Sequence, residues 1–448
     1  MEKDRTPPTS ILVFLRLRSL QIFRGSTLAS NTVWMLVGLG LKLVIQAAYF
    51  TVIARSLGAE HYGAFVGVVG LVGILSPFGS LGSGNLLIKN VARDHKKFRA
   101  NFGLALLTTI SVSSLLFFLV VLISHYFLPA TISVSLAMLV ATSDLFGTSI
   151  TVICGHAFTA FERLKWTAFI NALLSAVRLV AAIILIALYH NPSALQWGRF
   201  YFASTSLAAI VALGLVFVKL GPPELSLART AAEFREGFYF SAGRSTETIY
   251  NDIDKAMLAR LGTLEATGIY GAAYRLIDVS FAPIASLMVA AYPGFFRAGA
   301  GGISGAIQYA KPLFRRALGY AALVSGAMLV GAGIVPYILG SEYRLTVEAL
   351  RWLAILPMLK VVHVFLSDAL SGAGYQGLKS LIQLGVAVFN VLINLWIIPA
   401  YSWRGAAWSS IASDALLACG IATAAVVLSR RSQAAPGEAK GFAVRAEA

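Results

Sequence analysis

Ionisable and amide side chains recur inside segments that are otherwise apolar, and their spacing aligns them. Lys42, Gln46 and Tyr49 stand four and three residues apart, so on a helix they share one face. Asn171, Ser175 and Arg178 repeat the arrangement, as do Gln383, Asn390 and Asn394. Further on, Arg244, Glu247, Asn251, Asp254 and Lys255 fall along one side of a helix with Asp252 beside them. Arg275 precedes Asp278 by three residues, Lys360, His363, Ser367 and Asp368 lie close together, and Asp144 and Asp414 stand alone in apolar runs. An ionised group at the centre of a membrane helix costs roughly 2.5–3.5 kcal/mol on insertion scales, so such groups face a cavity or a partner. A cavity lined by Lys42, Arg178, Arg244, Lys255, Arg275 and Lys360 suits an anionic cargo, because Arg forks match phosphate oxygens and Lys adds a point charge. The carboxylates Asp144, Glu247, Asp252, Asp254, Asp368 and Asp414 are candidates to carry a coupled proton or cation. Pairing with neighbouring bases is the simpler account of the acids, above all for Asp278. Gln46, Asn171, Asn251, Asn390 and Asn394 complete the expected polar lining. For the stretch from Arg244 to Lys255 an intrahelical ladder is the other reading, since Arg244 and Glu247 are at i, i+3 and Asn251 and Lys255 at i, i+4.

No catalytic arrangement accompanies these residues. The run from Gly372 to Ser380 resembles a phosphate loop, but Leu378 intrudes before Lys379 and the run joins two apolar segments instead of following a strand, so it reads as a connection. The glycines between Phe78 and Asn85 permit a break or close helix packing. Neither paired cysteines, nor His-x-x-x-His, nor a Ser-His-Asp set is present, and no metal or cofactor is implied. Cys154 and Cys419 fall inside apolar runs, where small buried side chains are expected.

The elements that must position these groups follow from composition. The chain has 448 residues, 58% hydrophobic and 12% charged, whereas soluble domains run to roughly 25% charged. Apolar runs of about 20 residues recur along its length, each sufficient to cross a hydrocarbon core of about 30 Å as a helix. They lack the period-2 alternation of a membrane β-barrel. Charge, Pro and Gly breaks place twelve helices. The first six lie near Thr27–Val52, Tyr62–Leu87, Phe102–Ser124, Ile132–Ala157, Thr167–Tyr189 and Trp197–Val218. The second six lie near Phe238–Leu261, Gly268–Pro293, Ala317–Leu339, Ala349–Leu370, Leu378–Ile398 and Gly405–Leu428. The fold class expected is an all-α integral membrane protein of two six-helix bundles around a central cavity. Residues 27–220 and 238–428 form the bundles, joined by a linker at 221–237, with a basic amphipathic segment at 1–26 and a tail at 429–448. The net charge of +16 does not imply nucleic acid, because the Lys and Arg residues sit mainly between apolar segments. About 24 of them fall on the side of the termini and about 6 on the other, which puts both termini in the cytoplasm.

Two stretches resemble one another. Arg55, Leu57, Gly58, Glu60, Gly63 and Phe65 end the first helix and open the second, while Arg260, Leu261, Gly262, Glu265, Gly268 and Tyr270 do so at the seventh and eighth. Six helices separate them, an even number, so the repeat is parallel about an axis along the membrane normal.

The string ARSLGAEHYGAFVGVVGLVGILSPFGSLGSGNLLIKNVAR resembles the first two helices of the polysaccharide transporter branch of the multidrug/oligosaccharidyl-lipid/polysaccharide exporter superfamily, which includes Wzx-type O-antigen flippases. DKAMLARLGTLEATGIYGAAYRLIDV and NVLINLWIIPAYSWRGAAWSSIASD resemble that branch further along, so the likeness covers most of the chain. It implies a secondary transporter of a bacterial inner membrane, not an enzyme. The implied cargo is an undecaprenyl-pyrophosphate-linked glycan, an O-antigen or exopolysaccharide unit, flipped by alternating access among membrane lipids and other polysaccharide-assembly proteins. In relatives, cations of the first, seventh and eighth helices face the cavity, here Lys42, Arg244 and Arg275; the first is Lys, which cannot grip phosphate with two parallel bonds. Two other readings stand beside it. A cation-coupled multidrug antiporter of the same superfamily would favour an acidic, aromatic cavity. A membrane glycan polymerase or ligase would need a large loop bearing catalytic acids and bases.

Overall fold

A computed structural model of the chain describes residues 27–224 and 231–434, and every regular element within them is helical. In order these are α1 (Thr27–Leu75), α2 (Ser83–Arg93), α3 (Phe98–Phe127), α4 (Val134–Ala160), α5 (Leu164–Leu188), α6 (Ala194–Lys219) and α7 (Ala231–Leu261). There follow α8 (Leu264–Gly299), α9 (Ile303–Gly331), α10 (Arg344–Leu353), α11 (Leu356–Gly372), α12 (Gln376–Tyr401) and α13 (Trp403–Ala434). Helices are what such a sequence must form, since hydrocarbon offers no partner for a backbone N–H or C=O.

Among the described residues nine helices are long and apolar enough to cross a membrane, and α10 with α11 makes a tenth span bent by 45°. The first of the nine is two passes. Gly58, at φ 70° and ψ 173°, breaks α1. Phe50 and Tyr62 on either side of the break bring their rings to 5.9 Å, whereas twelve residues of unbroken helix would separate them by about 18 Å. The chain therefore folds back at a single glycine. Helix α7 is long enough to cross but too polar to count by hydropathy, and it completes the twelve.

Three details depart from the expected boundaries. The second pass is not continuous from Tyr62 to Leu87: Ser76–Phe78 is a 3₁₀ turn led by Pro77, and Leu81 and Gly82 take positive φ before α2 begins. The tenth pass breaks between Leu353 and Leu356, where Pro357 in the first turn of α11 cannot donate to a preceding carbonyl. Inside α4, Thr142–Thr148 is a π-helical segment. Its widened turns leave carbonyls that hydroxyls satisfy: Ser113 donates to the Leu145 carbonyl at 2.7 Å and Ser149 to that of Asp144 at 3.3 Å. The amphipathic segment expected at 1–26, residues 225–230 of the linker and the tail beyond 434 lie outside the described residues.

The two repeat-related stretches are the turns between the first and second passes and between α7 and α8, and they pack against each other. A Cβ at Gly63 would overlap the Leu264 carbonyl, and one at Gly268 would overlap that of Ala59. From there the second limb of α1 runs along α7. Gly67 meets Ala259, Gly70 meets the Asp252 carbonyl and Ala256, and Ser245 donates to the Ile74 carbonyl at 2.7 Å. Residues without side chains at these positions let the two backbones close the seam by van der Waals contact, which is how helices associate where hydrophobic force is absent.

Candidate functional site

Among the described residues the first half holds one ion pair at membrane depth, beside the π-helical segment. Asp144 is turned toward α5 and α6, where Arg178 Nη2 approaches its Oδ1 at 3.3 Å and the Tyr201 hydroxyl donates to the same oxygen at 2.7 Å. Thr148 adds a bond to Asp144 at 3.2 Å. The guanidinium also donates to Thr148 and Thr205 at 3.1 Å and lies 4.1 Å from the centre of the Tyr201 ring. Tyr201 is fixed by Phe65 at 5.2 Å and by the fully buried Trp197 at 5.8 Å, so the pair is built into an aromatic core. The Asp144 carboxylate has three partners and the Arg178 guanidinium four, counting the ring.

The second half carries a longer network. Lys255 contacts Asp252 at 2.5 Å, donates to the Asn251 carbonyl at 2.9 Å and lies 4.2 Å from the centre of the Tyr274 ring. Lys360 reaches the same ring at 5.1 Å and Asp278 at 3.9 Å. Asp254, 1% exposed, accepts from the hydroxyls of Tyr270 and Ser410, the latter at 2.9 Å, and from the Lys255 amide at 2.7 Å. Deeper still, His363 meets Asp414 at 3.1 Å; the second Asp414 oxygen and the Ser367 hydroxyl are buried with no hydrogen-bond partner. Asp252 and Asp278 are different in kind, with side chains 41% and 44% exposed on helices that cross the membrane. Carboxylates so exposed face water, because ionised groups do not face lipid at that depth.

The expected lining residues therefore separate into groups. Asn390 and Asn394 are 0% exposed and bond to each other at 3.0 Å, to Ser413 at 3.0 Å and to Ser409 at 2.5 Å. They pin α12 to α13 and line no wet surface. Their periodic spacing on α12 marks a packing face, and hydroxyls on α13 satisfy it. Asn251 and Asp368 are both engaged in interactions. The side chains of Arg244 and Glu247 lie outside the described residues, so the expected ladder between them does too; the ladder found on α7 joins Lys255 to Asp252. Arg275 does not pair with Asp278, which turns to Lys360 instead.

Two cations remain. Among the described residues, Lys42 on the first limb of α1 and Arg275 on α8 are half-buried and take part in no hydrogen bond or ion pair. They come from opposite halves and yet lie within Coulomb range of one another, with Arg178 in range of Lys42 as well. Tyr49 and Tyr62 each lie within Coulomb range of Arg275. Gln46 and Asn171, also half-buried and without internal partners, flank the Lys42 face. Like charges held within range of one another repel, so a bound anion would relieve that repulsion. The sequence pattern missed Tyr201, Tyr270 and Tyr274, the residues that hold the paired ions. Tyr270 and Tyr274 do stand at i, i+4 beside Arg275, a signal that was available. Among the described residues no group of three His, Cys, Asp or Glu side chains converges as metal ligands would.

This fold is that of the MOP superfamily transporters. A multidrug resistance MATE family transporter of that superfamily in its inward-facing conformation superposes with a TM-score of 0.73 at 15% identity, over 89% of this chain and 99% of that one. An outward-facing conformation gives 0.65 at 14% identity, over 92% and 98%. A MOP superfamily transporter from Pyrococcus furiosus, described as having a binding pocket of reverse polarity that suggests a different function, gives 0.62 at 16% identity, over 91% and 97%. The family model for polysaccharide biosynthesis proteins matches residues 28–298. The chain belongs to the polysaccharide biosynthesis protein family, as its resemblance to the polysaccharide transporter branch implied. No curated protein sequence matches it.

Proposed function

We propose that this protein flips a polyprenyl-pyrophosphate-linked oligosaccharide from the cytoplasmic to the periplasmic leaflet of a bacterial inner membrane. The observation that carries the reading is the pair of cations, Lys42 and Arg275, left without carboxylate partners across the boundary between the halves while every other described cation of the set is engaged. A pyrophosphate bridging them would remove their mutual repulsion and join the first half to the second at one point. Half-buried Gln46, Asn171 and the aromatic hydroxyls of Tyr49 and Tyr62 give the sugars polar contacts. The lipid tail stays in the bilayer. The family description supports a glycan as cargo, and the archaeal neighbour described by reverse pocket polarity supports a cavity whose charge suits something other than a cationic drug. Rocking of residues 27–220 against 238–428 would move the site from one face to the other. The excess of Lys and Arg on the side of the termini supports their cytoplasmic placement. A cation-antiporter reading would need unpaired carboxylates, whereas Asp144, Asp252, Asp254 and Asp278 are each engaged by a base or a hydroxyl.

The test is translocation of a fluorescent undecaprenyl-pyrophosphate oligosaccharide in proteoliposomes by the wild type, Lys42→Ala and Arg275→Ala. Flipping by the wild type and its loss in both variants is the expected result. Equal rates in all three would remove the anion clamp while leaving a transporter, and no flipping by any, over several glycans, would overturn the cargo.

A further inference from the structure

At the end of the molecule where the chain turns at Gly58, three helix termini are capped by residues from the opposite half. The second limb of α1 begins at Ala59, and the position before it is Gly58, which has no side chain to serve as cap. Its leading N–H is bonded instead by Glu342, whose Oε2 accepts from Ala59 at 3.0 Å across 283 residues of sequence. The neighbouring Tyr343, fully buried, donates its hydroxyl to the Ala54 carbonyl at 2.8 Å, in the last turn of the first limb. In return Arg55 donates to the carbonyls of Tyr337 and Ile338 at 3.4 and 3.2 Å, at the C-terminal end of the short helix Val335–Leu339. A carboxylate at a helix N-terminus and a cation at a C-terminus are each favoured by the aligned peptide dipoles, and the groups they satisfy have no partner within their own helices. Gly340, at φ 112°, makes the turn that delivers Glu342 and Tyr343.

We propose that this reciprocal capping is the latch that holds the Gly58 end of the transporter shut, and that parting the halves there requires Glu342, Tyr343 and Arg55 to release together. The arrangement differs from packed apolar contact in having a sharp range: a hydrogen bond is lost within about 1 Å of separation, so the end is either latched or open. It also makes the order of the first hairpin depend on closure, because the cap of the second pass belongs to the other half. The proposal rests on the transporter reading only in requiring that the halves part.

The experiment reads that parting without cargo. Spin labels are attached at Glu60→Cys and Glu265→Cys, two exposed sites on opposite halves at this end, in a Cys419→Ser background, and their separation is measured in nanodiscs. The wild type is expected to show a short-distance population. Glu342→Ala should raise the ratio of long to short distances by about fivefold to tenfold, and Tyr343→Phe by somewhat less. Gly58→Ala should act in the same direction from the other side, since its Cβ would overlap the Glu342 carboxylate at a positive φ. Unchanged distance distributions in Glu342→Ala and Tyr343→Phe, with both folded, would overturn the latch, as would a wild type with no short-distance population. Because neither residue touches the cation pair, a latch that fails this test leaves the cargo assay standing, and the reverse holds.

Discussion

The two helical bundles solve the burial of charge differently. The first concentrates it in one pair, Asp144 and Arg178, locked by Tyr201, Thr148 and Thr205 against an aromatic core. The second spreads it over α7, α8, α11 and α13, through Lys255, Lys360, Asp252, Asp278, Asp254 and the His363–Asp414 contact. Density of polar residues alone therefore does not mark a binding site. The second half has far more of them, yet nearly all are spoken for. Of the described candidate cations, the two with no hydrogen bond or ion pair, Lys42 and Arg275, are one from each half.

That contrast between engaged and unengaged charge can be broken by measurement. Arg178→Leu leaves the Asp144 carboxylate without its ion partner, and a loss of about 3–5 kcal/mol is expected from such a change; thermal unfolding in detergent reads it. Restoring much of that loss with Asp144→Asn in the same chain would show that the stranded charge, and not lost packing, is responsible. Asn394→Leu strands the Asn390 amide oxygen in a dry interface, while Ser409 keeps its bond to the Ala406 carbonyl, with an expected cost of about 1–3 kcal/mol and no effect on which end is open. Lys42→Ala and Arg275→Ala should have the opposite sign, leaving thermal stability unchanged or raising it by about 1 kcal/mol, because each removes a repulsion in an effective dielectric near 20. A destabilisation by either as large as that of Arg178→Leu would erase the distinction drawn here. Smallest of all, Arg404→Ala should melt with the wild type: its two bonds to Glu348, both at 3.0 Å, are solvent-exposed.

Much of the fold was legible because the bilayer imposes its own ruler. Runs of about 20 apolar residues and the breaks between them place twelve passes, the charged seventh among them. The breaks within passes were harder. Pro77, Gly79, Gly82 and Pro357 are visible in the sequence, but proline and glycine are tolerated in intact membrane helices as well. The π-helical segment of α4 has no compositional mark at all. The candidate residues were legible as a set, since a charge in an apolar run is conspicuous. Their partners were not. Arg178 and Asp144 are 34 residues apart and Lys360 and Asp278 are on different helices, so only the packing of those helices decides that Arg275 loses its near neighbour Asp278 to Lys360. The same holds for Asn390 and Asn394, whose spacing suited a wet face equally well until α13 covered it.

The fold-back at Gly58 has a mechanical meaning. Adjacent passes in a membrane protein are commonly joined by a loop whose slack lets each tilt independently. A joint one residue long has none. Any rotation of the first pass, which carries Lys42, is delivered undiminished to the second, which runs along α7 and so bears directly on the other half. The first two passes act as a rigid crank with Lys42, the proposed cargo contact, on one arm and the opposite half on the other, and a single insertion beside Gly58 would uncouple them.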